Sequence, residues 1–491
     1  MSLSAALDGA IAGLTVASAQ ISVVSRNIAN QSNANASRKI ANVVTVNGLP
    51  TFTTVSRASD DALLKNLLSA NGDQAQQSAI SDSLTQLEST LGASTNDTTS
   101  PIALMGQLTS ALQSYESAPQ NIAGAQAAVT AAQNLAKGLN SASATVQGVR
   151  EQADAGIASS VSWINSLLCQ FQQINDSIVN SPQGADITNL QDQRDTLLQK
   201  LSSEIGITTV TRGNNDMAVF TDSGVTLFDK TPRSVTFSST ANFSAVTQGQ
   251  AVYADGVPIT AQGSPLSIHT GRLAGLVSVR DNLGVTYQKQ LDEIARGLIT
   301  NFQETDQSAT PTQPAQAGLF TNGASLTVPP AGVVIPGLAS TIQVAAAVDP
   351  ATGNPELLRD GGISSNGAAP YVYNPTPGQA GYTDRLTQLI KNMSQSLAFD
   401  ASAGAGTQTS VTNYAASSAS WLGTQVSQAS TAASYSTAVQ NTSSAALSNA
   451  TGVNLDSELS KMLELEQSYQ ASAKLLTSIN TLYASLFAAI Q

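Results

Sequence analysis

The stretch that decides the fold runs from Leu3 to Ile28 and reads LSAALDGAIAGLTVASAQISVVSRNI. Its apolar residues recur at alternating spacings of four and three, which places them on one side of a helix at the a and d positions of a heptad. A helix with so long an apolar stripe needs a partner in water. The seam positions are Leu3, Leu7, Ala10, Leu14, Ala17, Ile21, Val24 and Ile28.

The end of the chain repeats this spacing, with polar breaks at Glu466 and Asn480. We therefore predict that the first and last helices pair as a coiled coil, and that copies in neighbouring subunits cover what remains exposed. The alternative is that two amphipathic helices simply pack into an ordinary core. A second stripe, Leu475, Ile479, Leu482 and Leu486, widens the apolar face. The C-terminal seam consists of Leu455, Leu459, Met462, Tyr469, Ala473, Leu476, Tyr483 and Phe487.

Charge is sparse over the whole chain. Charged residues make up 11% of the 491 residues, whereas about 25% is usual for soluble domains. A polar but weakly charged surface suits close packing between identical subunits. The net charge of −12 and the lack of a Lys/Arg cluster argue against binding nucleic acid.

Several features bear on the compartment. The N-terminal stretch lacks the basic and apolar regions of a cleaved secretory signal. Apolar runs are expected to fall short of the ~18 residues of a membrane span, so no membrane insertion is predicted. Cys169 is the only cysteine, which excludes an intrachain disulfide, and it is expected to be a small buried hydrophobe.

Residue patterns predict a mainly α chain with β-rich insertions: paired terminal helices, a long-helix bundle and outer β domains. A short Val/Thr-rich piece from Ile40 to Val46 is followed by the hairpin signal Asn47-Gly48. Strand-like pieces are also expected at Leu326–Val334 and Thr341–Ala347. The predicted units are a terminal coiled coil (1–35 and 450–491), a helical bundle (36–205, 270–310 and 380–449), a β-rich domain (206–269) and an irregular or β insertion (311–379).

The sequence offers little evidence of a catalytic, metal or cofactor site. His269 is the single histidine, at an expected strand-to-helix corner where a structural or surface role is the simpler interpretation. The chain has no HExxH, no CxxC and no phosphate-binding glycine loop. We therefore expect no enzyme activity, no metal and no cofactor.

Short motifs now indicate a family. The opening, Ser25-Arg26-Asn27-Ile28-Ala29-Asn30, resembles the flagellar rod, hook and hook-associated proteins, and so do Gly452-Val453-Asn454-Leu455-Asp456 and Tyr469-Gln470-Ala471-Ser472-Ala473-Lys474. The interior is more specific. The stretch from Asn189 to Leu198, NLQDQRDTLL, resembles the signature of hook-associated protein 1, as do Gly271–Leu276, Arg280-Asp281, Leu291-Asp292, Ile294-Ala295 and Gly318–Phe320.

The resemblance implies a structural part of the bacterial flagellum that joins hook to filament, located outside the cell and exported without a cleaved signal. Its implied partners are copies of itself, the hook protein, the second hook-associated protein, and an export chaperone with the type III export apparatus. The C-terminal seam would be the chaperone's face, and Asn27, Ile28, Ala29 and Asn30 an assembly motif. One departure from the family is Asn33-Ala34-Asn35-Ala36, which stands where Thr-Pro-Gly-Tyr is usual.

Other functions remain open at this stage. The nearest is another flagellar axial protein, either the hook subunit or the second junction protein. The interior DQRD motif weighs against both. A coiled-coil surface adhesin is a different class, which the Ser/Thr-rich composition permits. An enzyme is the last alternative.

Overall fold

A computed structural model describes residues 3–91, 98–375 and 379–490. Helices dominate these residues, and a π-helical turn, Val279–Leu283, links two of them. The helices are α1 Leu3–Ala29, α2 Asp61–Leu91, α3 Pro101–Ser117, α4 Ile122–Val179, α5 Thr188–Glu204, α6 Arg272–Ser278, α7 Gly284–Asn301, α8 Leu338–Thr341, α9 Leu357–Asp360, α10 Asp384–Met393, α11 Val411–Thr451 and α12 Leu455–Ile490.

Helix packing confirms the predicted class, mainly α with terminal helices packed together and small β sheets. The first helix, α1, lies along α12, and α2 lies along α11. The 58-residue α4 forms the centre of the bundle and contacts α3, α5, α6 and α7. Its buried face, from Ala125 to Ile178, is rich in Ala, Val, Leu and Ile at helical spacing. This apolar stripe allows α4 to pack against several other helices at once.

Polar side chains mark where the helices begin. Asp60 accepts hydrogen bonds from the amides of Ala62 and Leu63 at the start of α2. Ser100 caps α3, whose first residue is Pro101, a position where a proline loses no helical hydrogen bond. Asn121 caps α4. These caps supply partners for amides that a helix leaves unpaired at its N-terminus.

Small antiparallel sheets occupy the connections. The largest has the order β3-β4-β5-β6, and a three-stranded sheet has the order β7-β8-β9. The strands are β1 Lys39–Val46, β2 Leu49–Arg57, β3 Ile207–Thr211, β4 Met217–Thr221, β5 Thr226–Asp229, β6 Thr231–Pro232, β7 Val235–Thr236, β8 Tyr253–Ala254, β9 Val257–Pro258, β10 Phe320–Asn322, β11 Ile342–Val344, β12 Leu397–Ala398 and β13 Gln408–Thr409.

The predicted hairpin is confirmed. Strands β1 and β2 pair antiparallel around Asn47 and Gly48, whose φ angles are 54° and 83°. Both central residues of a type I′ turn need a positive φ, which Asn and Gly adopt most readily. The hairpin packs against α1 rather than forming part of the bundle's centre.

Three expectations were wrong. Leu326–Val334 forms no strand, and one isolated bridge, Gln316 to Thr327, is its only ladder contact. Pro329 and Pro330 explain this, because proline cannot donate to a ladder. Cys169 is exposed. Its neighbours on α4, Leu168 and Phe171, take the buried side of the helix.

The third expectation concerned membrane spans. By length and composition alone, α1 is apolar enough to cross a membrane. Core helices and signal sequences pass the same test. In the structure, α1 packs against α12 and the β1–β2 hairpin, and 28% of its most apolar window is buried.

Candidate assembly interface at the paired terminal helices

Two contacts fix how α1 and α12 lie against each other. A β carbon built on Gly13 would lie 3.1 Å from Oγ of Ser472. Asn27 Nδ2 donates a hydrogen bond of 2.9 Å to Glu458 Oε2. Fourteen residues separate the two contacts on each helix, so the helices run antiparallel and in constant register.

On α1, the seam positions that the contact with α12 buries hold the smaller residues. Ala10, Ala17 and Val24 are buried, as their seam positions suggest. The larger seam residues Leu3, Leu7, Leu14, Ile21 and Ile28 are only half-buried. Small side chains let the helix axes approach, and the leucines and isoleucines are displaced to the flanks.

The contact face of α12 is turned relative to the predicted seam. Glu458, Leu465 and Ile479 are its buried residues, and none of them belongs to that seam. Of the predicted residues, Met462, Ala473, Leu476 and Tyr483 are half-buried, whereas Leu455, Leu459, Tyr469 and Phe487 are exposed. Heptad spacing identified the helix, but several apolar faces compete on it, and only the partner selects one.

A groove and two leucine stripes remain uncovered by the described chain. The groove, of about 590 Å³, runs between the helices and is lined by Ile11, Leu14, Tyr469 and Leu476 among others. Leu475, Leu482 and Leu486 form one exposed stripe on α12, and Leu455, Leu459 and Leu463 another. Exposed apolar patches are typical of surfaces that bind proteins, membranes or ligands.

Asn27 explains why the opening motif needs an amide. Its Oδ1 accepts from the Lys39 backbone N at 2.8 Å, and its Nδ2 donates to the Lys39 backbone O at 2.9 Å. One side chain thus pairs with the first residue of β1 as a neighbouring strand would, while also binding Glu458. The rest of the motif ends the helix: Asn30 donates to the Arg26 carbonyl, Ile28 is half-buried and Ala29 is exposed.

From Lys39 the polar contacts continue into the bundle. Lys39 Nζ is paired with Asp192, which also accepts from Arg57 Nη1 at 3.0 Å. Arg57 binds Asp195 at 2.6 Å. Burial lowers the pKa of Arg57, but Asp195 and Asp192 more than offset it and raise the pKa. These two basic and two acidic side chains, which we call the clasp, balance in charge.

The interior DQRD motif gains a physical explanation here. Asp192 and Asp195 lie three residues apart on one face of α5 and meet the hairpin. Arg194 points the other way and donates to Asn175 Oδ1 and to the Asn215 carbonyl. The helix α5 therefore joins the terminal coil to the β3–β4 turn. The motif is visible in the sequence but its partners are not, because no local pattern links residues this far apart.

Residues that could bind a metal or support catalysis are rare around this interface. Within the described residues, no group of three or more His, Cys, Asp or Glu side chains could hold a metal ion. His269 is exposed, and its backbone amide donates to Asp222.

Two parts of the chain match models of flagellar proteins. Residues 84–318 match the model described as "Flagellar hook-associated protein FlgK helical domain", and residues 445–488 match "Flagellar basal body rod FlgEFG protein C-terminal". The chain is similar to the flagellar hook-associated protein 1 family. This family consists of structural proteins of the flagellum. The first match contains the DQRD motif, and the second contains Glu458.

Related proteins of known function match this chain over part of their length. Flagellar hook-associated protein 1 of Escherichia coli (strain K12) is 24% identical over 292 residues, 57% of this chain and 52% of that protein. The Bacillus subtilis (strain 168) protein of the same name is 24% identical over 381 residues, 70% of this chain and 67% of that one. The chain thus spans about half the length of the first relative.

A solved structure is also similar. The flagellar hook junction protein FlgK from Burkholderia pseudomallei is 25% identical, with a TM-score of 0.43, over 53% of this chain and 47% of that one.

Proposed function

We propose that this protein is a structural component of the bacterial flagellum that joins hook to filament. The observation that carries the proposal is the α1–α12 coiled coil, which keeps a groove and two leucine stripes open within a family of flagellar structural proteins. The rest of the apolar face would be covered by neighbouring subunits, without catalysis.

Partners follow from position in the flagellum. Copies of this chain, the hook protein and the second hook-associated protein would pack against the predicted N-terminal and C-terminal seams. Before export through the type III apparatus, a chaperone would cover exposed C-terminal residues such as Leu459, Tyr469 and Phe487. Delivery to the cell exterior without a cleaved signal belongs to the same proposal.

Domain roles follow the chain order proposed from sequence. Segments 1–35 and 450–491 would form the inner, assembling part, and the helical bundle would carry the β-rich insertions away from it. Arg26 pairs with Asp186, and Asn27 binds Lys39 of the clasp, so these contacts fix the first of these parts to the second. Mechanical force on the terminal coil would therefore be transmitted to the bundle through Lys39, Arg57 and α5.

Deleting the gene tests the proposal. Negative-stain electron microscopy of the mutant cells should show hooks without filaments, with flagellin lost into the medium. Complementation with the intact gene is the control. Cells that keep normal filaments would refute the junction role.

A second axial role has support of its own. Residues 445–488 match a model described for the C-terminal part of basal body rod proteins. If the deletion removed the hooks as well, the chain would belong to the rod or hook instead.

A further inference from the structure

Strand β1 is exposed to an extent that its own sheet does not explain. From Val43 to Val46 every residue is exposed, whereas β2 is half-buried along most of its length. Successive side chains of a strand point to opposite faces. Val43 is 37% exposed and Val44 is 45% exposed, so the described chain leaves both faces of the outer half of β1 partly open.

The edge of β1 has little of the usual protection. Natural edge strands carry charges, prolines or bulges that prevent pairing with other chains. The β1–β2 ladder has one register shift, between Asn42 and Val43, and beyond it β1 pairs regularly with β2 from Val43 to Val46. No Asp, Glu, Lys or Arg occurs between Ile40 and Ser56, and β1 contains no proline. Its sheet has only two strands, and such a hairpin is marginally stable alone in water.

The surroundings of the hairpin continue the same apolar surface. The turn end of the hairpin lies along α1, where a β carbon built on Gly9 would lie 3.9 Å from Cδ2 of Leu49, the first residue of β2. Two residues further along α1, Ile11 is 48% exposed and lines the groove of the terminal coil. The outer half of the hairpin thus lies beside the apolar surface of the terminal coil.

We propose that the edge of β1 accepts the β1–β2 hairpin of a second copy of this chain as an added strand. Backbone hydrogen bonds would bind the strand, and valines on both faces would be covered. A second copy is the favoured occupant because the edge offers no charge for a partner of opposite sign, while a hairpin of Val and Thr complements it. The inference rests on the proposed assembly into the flagellum.

Photocrosslinking tests the contact directly. The full chain would carry benzoylphenylalanine at Val44, be produced in the deletion strain, and be irradiated in isolated flagella. We expect a product of twice the chain's mass whose crosslink maps by mass spectrometry to residues 39–57 of another copy. The control is the same photo-reactive residue at Val210, which is 50% exposed on the edge strand β3. A Val44 crosslink to another protein or to a different segment would overturn the inference.

Substitution gives a second test. Val44→Lys should lower the amount of chain recovered in flagella by at least about ten-fold, because the ammonium group would have to lose water in a contact without a carboxylate. Val210→Lys should not change it. Val44 is 45% exposed, so both purified variants should keep the helical content and melting temperature of the unaltered chain. Unchanged recovery of the Val44→Lys chain would contradict the proposal.

The experiment distinguishes a failure of the edge contact from a failure of the junction role. If the unaltered chain is abundant in flagella but gives no crosslink from Val44, the edge contact is wrong and the junction role stands. If the unaltered chain is absent from flagella, both are wrong.

Discussion

At the scale of single residues, polar side chains decide how this apolar molecule is aligned. Asn27 makes three hydrogen bonds, two to the Lys39 backbone and one to Glu458. A buried amide in a coiled coil favours one register, because any other register would leave polar groups unpaired. Asn27 thereby sets the position of α12 and of the hairpin at once.

Replacing Asn27 tests this role. Asn27→Leu should lower the free energy of unfolding of the terminal coil by about 2–4 kcal/mol, since it leaves the Glu458 carboxylate and the Lys39 backbone buried without these partners. Hydrogen exchange of α1 and α12 amides would measure the change. Asn30→Leu is the matched control, because Asn30 is exposed and bonds only within its own turn. Equal exchange in the two variants would contradict the assignment.

Asp292 is a second residue whose buried, hydrogen-bonded surroundings matter, here through their effect on its pKa. Its carboxylate accepts from the amides of Gly337 and Ala339 and from Gln288, and so attaches α8 to α7. Burial raises its pKa from 3.8 to about 6, although these hydrogen bonds lower it. The folded protein therefore holds this proton at a higher pH than the unfolded chain does.

Stability should depend on pH accordingly. As pH rises from about 4 to about 6, Asp292 should take about 3 kcal/mol from the free energy of unfolding of the bundle. Asp292→Asn should lack this component, so urea unfolding at several pH values should show a smaller decline for the variant. Asp8→Asn, at an exposed position of α1, is the control. Identical pH dependence in Asp292→Asn and the unaltered chain would rule the linkage out.

At the scale of elements, α12 carries one apolar face for α1 and others for outside partners. Ile479 is 4% exposed and Leu482 is 56% exposed, although they lie three residues apart in the same predicted stripe. The two positions should thus separate folding from assembly.

Serine substitutions make the comparison. Ile479→Ser should lower the free energy of unfolding of the coil by about 2–4 kcal/mol, as expected when a buried large side chain is truncated. Leu482→Ser should change it by less than about 0.5 kcal/mol, as is usual at exposed sites, yet reduce incorporation into flagella. Thermal unfolding and electron microscopy would measure the two effects. Loss of coil stability in Leu482→Ser would show that the stripe is part of the fold.

At the scale of the whole molecule, the terminal coil is attached at one end. Among the described residues, α1 is the main partner of α12, whereas the bundle has an extensive core around α4. Coil and bundle are joined at Asn27, which binds Lys39 of the clasp, by the ion pair of Arg26 with Asp186, and by the hydrogen bond from Arg38 N to the Thr451 carbonyl. The two parts should therefore unfold independently.

Removing residues 1–29 should expose this independence. We expect α12 to become sensitive to protease, since it loses its partner, while a fragment from about residue 50 to 440 keeps its resistance and melting temperature. The Leu482→Ser chain is a suitable control, because it retains α1. Protection of α12 in the truncated chain would mean that the bundle also holds it.

Much of this structure follows from local sequence. Heptad spacing predicted both terminal helices, the Asn47-Gly48 pair predicted the hairpin, and short motifs indicated the family, because each signal lies within a few residues. The sequence could not choose among the apolar faces of α12, place Cys169 outside the core, or pair the clasp residues. Those outcomes depend on contacts between segments more than a hundred residues apart, as with Lys39 and Asp192, and on which surface of each helix a partner covers. Burial of a given face is a property of the packed molecule, and only the tertiary structure decided it.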